Sequence, residues 1–427
     1  MGADYIVTDF WRAANVHPPG QEQPLARLRS LILATQQPTT CKHVCTLTNA
    51  YHGGALSDVR RLAYALMYAI VKDCSLVSMW PSYSKTNRSS SLTTSTELRR
   101  RCGTKSRQGL RCYFLPPSTC RDSDVEQQGG GRRTQFSLIN FNLAPHLAAV
   151  QAKTGLHSEM LIMGTLVAWI MRPQPELSEA ILHYGTLLGL SQPGARQRRL
   201  SVHIRHGDKH SLYAKHLRNE SWRVQPQNFD AWARRVAADL GFDSALFMTD
   251  DAGAMDALLP SSRPPPRDRW SSNDGFFALA PAPRVCLPSY AIGSFGKSHL
   301  PAVRNLMKLH KPKESAEIER RTANLTQTCG PKHLIDDGIQ LFAGVLLLAQ
   351  TSAFVGTQIS NVDAATVELM ATLRYPPTVF DVLNDVHRAC LSDEAVWHGA
   401  VHPHRRDLTK ERLAGKDGAV ANVGDPC

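Results

Sequence analysis

The stretch Leu200–Lys209, LSVHIRHGDK, constrains the chain more than any other. Its first half alternates Leu200, Val202 and Ile204 with Ser201, His203 and Arg205, which is the period of a strand. Its second half gathers Arg205, His206, Asp208 and Lys209 around Gly207, the composition of a polar turn. A strand ending in a charged loop points to a ligand site, because in open α/β sheets ligands bind beyond the carboxyl ends of the strands. There Arg205 would offer an anionic group a bidentate fork and Lys209 a point charge, with Asp208 orienting the two cations or handling a proton. The same residues also suit a solvated turn closed by an internal salt bridge, so other segments have to decide.

The rest of the chain repeats the strand-then-turn-then-helix grammar of an α/β protein. Val44–Leu47 reads as a strand, followed by Tyr51-His52-Gly53-Gly54 and a helix that keeps Val59, Leu62, Ala63, Leu66 and Ile70 on helical spacing. Gly53 and Gly54 would let backbone approach a ligand, with phosphate favoured at the helix N-terminus, although an ordinary turn also accounts for a glycine pair. Cys74–Met79 is the next expected strand; Pro81 to about Arg107, and 121–134 with its run Gly129-Gly130-Gly131, read as exposed loops. A helix opening at Ser158 carries Met160, Leu161, Met163, Leu166, Val167, Trp169 and Ile170 until RPQP at Arg172–Pro175 ends it, and Glu176–Leu190 forms another.

Residues 191–199 are basic and serve as a linker. After them come the strand to Arg205, a helix over 228–239, and a short strand Ala245–Met248 that ends in Thr249-Asp250-Asp251, again an acidic pair at a carboxyl end. A helix from Met255, a proline-rich loop (Pro260–Pro266) and a helix over Asp337–Thr351 lead to a strand at Ala353–Val355 and a Gly356-Thr357 turn. The following helix opens near Ser360-Asn361 and runs to Leu373. Ser360 or Asn361 would cap it, and its N–H groups with Thr357 and Gln358 would make a small anion cradle; capping alone also explains Ser360. The expected organisation is a polar leader with short helices over 1–38, an N-terminal Rossmann-like domain over 39–190, a C-terminal one over 200–385, and a tail over 386–427 with a short helix.

At 427 residues the chain has ample material for two cores, and 42% hydrophobic with 20% charged residues is a globular composition. The net charge of +12 suits an anionic ligand such as a nucleotide diphosphate or an acidic glycan. Nucleic acid is disfavoured by the lack of zinc-finger spacing, of an aromatic-basic RNA signature and of a Walker P-loop. The ten cysteines show no paired CxxC spacing, which favours disulfides or isolated thiols over a metal site. With the sequons at Asn87, Asn219 and Asn324 they point to a secretory-pathway lumen. Residues 1–30 hold no signal peptide or anchor, and no apolar run reaches the ~18 residues of a membrane span, so membrane attachment is expected only through an anchor outside this sequence.

Four segments, taken in order, resemble the α1,6-fucosyltransferase family that includes the core N-glycan enzyme and the bacterial nodulation enzymes. VHIRHGDK at Val202–Lys209 resembles the family's donor-binding motif, and WIMRPQPELSEAI at Trp169–Ile181 the segment before it. FMTDD at Phe247–Asp251 and AFVGTQISNV at Ala353–Val362 resemble the two later motifs, and the likeness runs from about Ala50 to Leu373. The resemblance implies a GT-B architecture, two Rossmann-like domains facing across a cleft, with GDP-fucose as donor substrate in the C-terminal domain, a glycan as acceptor, and no metal or other cofactor. It places His203 near the nucleoside and Arg205 at the β-phosphate. Lys209 and Asp208 would stabilise or relay charge at the reacting centre, Asp250 and Asp251 would brace Arg205 or touch ribose, and Ser360 and Asn361 would contact phosphate. The implied reaction is inverting, with cationic stabilisation of the departing diphosphate in place of a metal ion, and the implied setting is the Golgi or another secretory lumen.

The chain departs from the family pattern at several positions. His206 stands where a second arginine is common and is counted with the donor-binding residues. Tyr213 stands where the core N-glycan enzyme carries its glutamate base, Glu220 being the nearest carboxylate downstream. Gly344 replaces a guanine-binding aspartate, Leu56 a further turn glycine, and Ala364 an arginine. These losses fall on donor recognition and proton removal. They keep open a second class, a catalytically inactive nucleotide-sugar or glycan-binding protein of the same fold, and a third, a polyanion-binding protein with steep salt dependence.

Overall fold

A computed structural model describes residues 6–13, 20–49, 55–77, 110–121, 123–124, 131–138, 142–188, 190, 199–205, 229, 232–233, 236–237, 240–242, 244–249, 337–357, 360–375, 377–382 and 386–390. The chain divides into two compact units. The N-terminal unit comprises Val7–Leu177 with Glu368–Tyr375, and the C-terminal unit Met1–Ile6, Ser178–Val367 and Pro376–Cys427.

In the N-terminal unit, α1 (Phe10–Ala13), α2 (Glu22–Gln36), β1 (His43–Asn49), α3 (Ala55–Val71), β2 (Ser75–Leu76), β3 (Arg132–Ser137), α4 (Leu143–Thr154) and α5 (Glu159–Ile170) follow in order. The sheet is parallel, β2-β1-β3. Its strands need crossover connections, and α3 supplies the one from β1 to β2. Helix α5 is buried from Met160 to Ile170, an apolar rod inside the core, and Ser158 caps it by accepting from Leu161 N at 3.1 Å. Gly164 permits a close approach, since a Cβ there would sit on the backbone carbonyl of Glu368. Lys153 closes α3 by donating to the carbonyls of Ile70 (3.0 Å) and Val71 (3.4 Å) and to Asp73 (3.1 Å). Disulfides Cys41–Cys120 and Cys45–Cys74 join β1 and the segment before it to their neighbours, with Cα separations of 5.6 and 5.7 Å.

A buried ion pair completes this core. Arg60 Nε donates to both Glu368 oxygens at 3.0 and 3.3 Å, and its Nη2 lies 2.9 Å from Oε1. Burial pushes the Glu368 carboxyl up and the Arg60 guanidinium opposes that shift. On Arg60, burial disfavours the charge, but the carboxylate overcomes it and the guanidinium stays firmly protonated.

In the C-terminal unit, α6 (Pro175–Leu187, whose first residues count with the other unit) precedes β4 (Arg199–Ile204), β5 (Ser244–Thr249), α7 (Asp337–Leu348), β6 (Ala353–Gly356), α8 (Asn361–Leu373, whose residues from Glu368 onward count with the other unit), β7 (Thr378–Asp381) and β8 (Val386–Cys390). The sheet order is β5-β4-β6-β7-β8, parallel except for β8. Leu200, Val202 and Ile204 pack with Phe229, Ala233, Val236, Phe247 and Val355 in one apolar cluster. The period-2 pattern of β4 does not divide core from solvent, because every residue from Leu200 to Ile204 is buried. A central parallel strand is covered on both faces, and its polar residues are buried with hydrogen-bond partners.

Five expectations are corrected. The stretch read as a polar leader contains α2, whose Leu25, Leu28 and Ile32 are buried. Part of the loop expected over 121–134 is strand β3; only Phe136 of it is buried, so it is held by main-chain pairing to β1 and carries no hydrophobic pattern. The stretch before Ser158, for which no element is expected, contains α4, and Pro145 lies in its first turn, where proline forfeits no hydrogen bond. Val386–Cys390, at the start of the expected tail, is an antiparallel strand on β7, and the rest of the tail, where a short helix is expected, lies outside the described residues. The strand expected over Cys74–Met79 spans only Ser75–Leu76. No helix among the described residues is long and apolar enough to cross a membrane.

Candidate functional site

Chain order and sheet order together mark where a crevice is expected in the C-terminal unit. The chain enters at β4, moves to β5 on one side, and then returns to β6 on the other. The carboxyl ends of β4 and β6 therefore flank the point where the strand order reverses, the position at which doubly wound sheets open a binding crevice. Arg205 is the first residue past β4 and is buried, 7% exposed. Past β6 come Thr357 and then Ser360, which caps α8: its Oγ accepts from Val362 N at 3.2 Å and from Asp363 N at 3.5 Å.

Beneath this mouth lies a polar network centred on Asp363, which is 0% exposed. Its Oδ1 accepts from Nδ1 of His203, a residue equally buried on β4. A carboxylate accepts only, so Nδ1 of the imidazole carries the proton. Its Oδ2 accepts from the backbone N of Thr357 at 2.5 Å and from Thr357 Oγ1 at 3.1 Å. Gly356 makes room for it, since a Cβ there would lie 2.8 Å from Asp363 Oδ2 and press on the Phe354 ring. At the other end of the same strands, Ser201 Oγ and Thr351 Oγ1 lie 2.7 Å apart, and both are within hydrogen-bonding distance of the carbonyls of Leu348 and Ala353.

Of the residues expected in the donor site, His203, Arg205, Thr357, Ser360 and Asn361 are described and all stand at the β4 and β6 ends or in the first turn of α8. Two of them differ from expectation. Thr357 is no part of an open anion cradle, because its N–H and hydroxyl are both taken by Asp363. His203 is held by that same carboxylate inside the unit. Gly53, Gly54, His206, Asp208, Lys209, Asp250, Asp251 and Gln358 lie outside the described residues, as do Tyr213, Glu220 and the three sequon asparagines. Position 344 faces the core: a Cβ on Gly344 would meet Met248 Cε at 2.5 Å and Sδ at 2.8 Å, so no carboxylate fits there without displacing the thioether.

The WIMRPQP segment has a structural part in the N-terminal unit. The Arg172 guanidinium stacks 3.5 Å from the centre of the Trp169 ring, and its Nε donates to the Trp169 carbonyl at 2.9 Å while Nη2 donates to Pro116 O. Trp169 Nε1 donates to Pro117 O at 2.8 Å, so both side chains pin one proline loop. Burial pulls Arg172 down to about 10, which leaves it charged at neutral pH.

Among the described residues, ligand atoms of His43, Cys45 and Cys74 lie within 4.8 Å of one another. The two sulfurs are bonded to each other, which removes them as ligands. Asp363 was not singled out by sequence reasoning, and Gly356 was named only as part of a turn. The available signal was Ser-x-x-Asp shortly after a strand and its Gly-Thr turn, which resembles a capping box but sends its acid elsewhere. No family model matches this chain, and no curated protein matches it.

Proposed function

We propose that the chain is an inverting glycosyltransferase of GT-B type that transfers fucose from GDP-fucose to a glycan hydroxyl. The observation that carries this reading is Arg205, a buried guanidinium at the carboxyl end of the first strand of a doubly wound sheet, beside the capped helix start that follows β6. That is where a diphosphate gains most from a fixed cation and helix N–H groups. The four motifs of the family resemblance, met in order along the chain, supply the choice of donor.

In the proposed reaction the acceptor oxygen attacks the anomeric carbon from the face opposite the diphosphate. The bond from that carbon to the β-phosphate oxygen breaks, GDP leaves with the electron pair, and the acceptor proton passes to a base. Arg205, aided by Lys209, stabilises the charge that grows on the diphosphate, the effect that contributes most when its donors are held in place before reaction. Disulfides in the N-terminal unit support an oxidising lumen as the setting.

A second reading, donor or glycan binding without turnover, is favoured by two positions: tyrosine at 213 in place of a glutamate base, and Gly344 packed against Met248 in place of a guanine-binding aspartate. Thermal melts with GDP and UDP, followed by a GDP-fucose hydrolysis and transfer assay, separate the two. The enzyme reading expects GDP, and not UDP, to raise Tm and GDP-fucose to be consumed. Binding without consumption selects the second reading, and no shift with either nucleotide overturns the enzyme reading and leaves only the glycan-binding form of the second.

A further inference from the structure

Asp363 stands at the third position of a helix capped by Ser360, where an acidic side chain ordinarily turns back to the capping residue's own N–H. Here it does not. Ser360 N donates instead to Thr357 O at 3.2 Å, and the carboxylate is left to serve two different strands. One oxygen holds the imidazole of His203 on β4, and the other holds the N–H and hydroxyl of Thr357 just past β6. A fully buried carboxylate is costly unless its lone pairs are filled by donors, and three donors fill these. Gly356 keeps the space in which the carboxylate lies.

The strands so joined are the two that flank the switch point, and the joint is at their carboxyl ends. His203 lies two residues before Arg205, which follows β4 directly. Thr357 lies three before Ser360. A single carboxylate thus sets the spacing between the cation on one side of the crevice and the helix start on the other, while every contact it makes is internal to the protein.

We propose that Asp363 is a positioning residue of the donor site: it clamps the ends of β4 and β6 in the register that a diphosphate requires, without touching the ligand. The proposal rests on the donor-site reading above for the identity of that ligand. It distinguishes Asp363 from the Ser201–Thr351 pair, which joins the same strands at the edge away from the crevice.

The test is a set of single variants titrated with GDP and, in parallel, inorganic pyrophosphate, each well below its own Tm. Asp363→Asn leaves the volume but replaces one acceptor with a donor that must face either the His203 Nδ1–H or the Thr357 donors, and affinity should fall on the order of tenfold or more, as expected when binding groups shift by a fraction of an ångström. Gly356→Ala presses on Asp363 Oδ2 and should weaken binding by a smaller factor, which keeps the test alive if Asp363→Asn does not fold. Thr351→Val should lower Tm with no change in affinity. Wild-type affinity in Asp363→Asn or in Gly356→Ala, with only a Tm loss like that of Thr351→Val, overturns the proposal and leaves the donor-site reading standing. Wild-type protein that binds pyrophosphate but not GDP overturns the donor reading, and the same series on pyrophosphate still decides the role of Asp363. Wild-type protein that binds neither overturns both.

Discussion

In the N-terminal unit the central strand β1 lies between β2 and β3 and is tied to its surroundings by one disulfide, with a second just before it. In the C-terminal unit β4 lies between β5 and β6 and is tied by hydrogen bonds, Ser201 with Thr351 at one end and His203 with Asp363 at the other. The local order of strands is the same. Covalent bonds hold their strand whatever surrounds it, whereas the polar ties depend on buried geometry and themselves place charged and donor groups at the strand ends. The difference assigns stability to the first arrangement and ligand geometry to the second, and each assignment can be broken.

The largest effect on stability is expected from removing the covalent tie. Cys45→Ala with Cys74→Ala opens a loop of sequence separation 29 and should cost about 3–4 kcal/mol by the loop-entropy estimate. Denaturant unfolding measures it, and GDP affinity should not change. A loss of affinity as large as the loss of stability would erase the division of roles between the sheets.

Next is Arg205→Ala, which should forfeit about 2–3 kcal/mol of a charge-assisted contact, on the order of a hundredfold in Kd for GDP, with the circular dichroism spectrum retained. An unchanged Kd would leave the crevice without its cation. Gly344→Asp should destabilise the C-terminal unit by about 1–3 kcal/mol through overpacking against Met248. A variant of unchanged Tm that binds GDP more tightly would show instead that position 344 opens to the nucleotide.

The smallest effect is a pH dependence at β1. Burial and the nearby Arg132 hold the His43 pKa below its ordinary value, against weaker contributions from Asp73. Because the unfolded chain then takes up the proton first, stability is fully present above about pH 6.5 and declines as the solution is acidified below it. Tm compared between pH 5 and pH 7.5 in the wild type and in His43→Asn should show a shallower acid decline in the variant. An identical decline would assign the effect to other groups.

The central strands were legible from sequence because their signal is local. Val44–Leu47 and Leu200–Ile204 are apolar and β-branched, and each is followed by a turn composition. Ser360 as a cap was legible for the same reason. Strand β3 was not, because Arg132–Ser137 takes its structure from pairing with β1, which no property of its own residues announces. Nor was the tie between His203 and Asp363, a contact between residues far apart in the chain whose only trace was an acid three positions after a capping serine. Arg60 with Glu368 illustrates the same limit, since on α3 the arginine reads as a surface residue until a helix from the far end of the chain covers it.

A crystal structure of the protein with GDP bound tests the central claim most directly. The account predicts diphosphate oxygens within hydrogen-bonding distance of the Arg205 guanidinium, beyond the carboxyl ends of β4 and β6, with Asp363 still bonded to His203 and Thr357. A nucleotide seated elsewhere, with Arg205 turned away from it, would contradict the account.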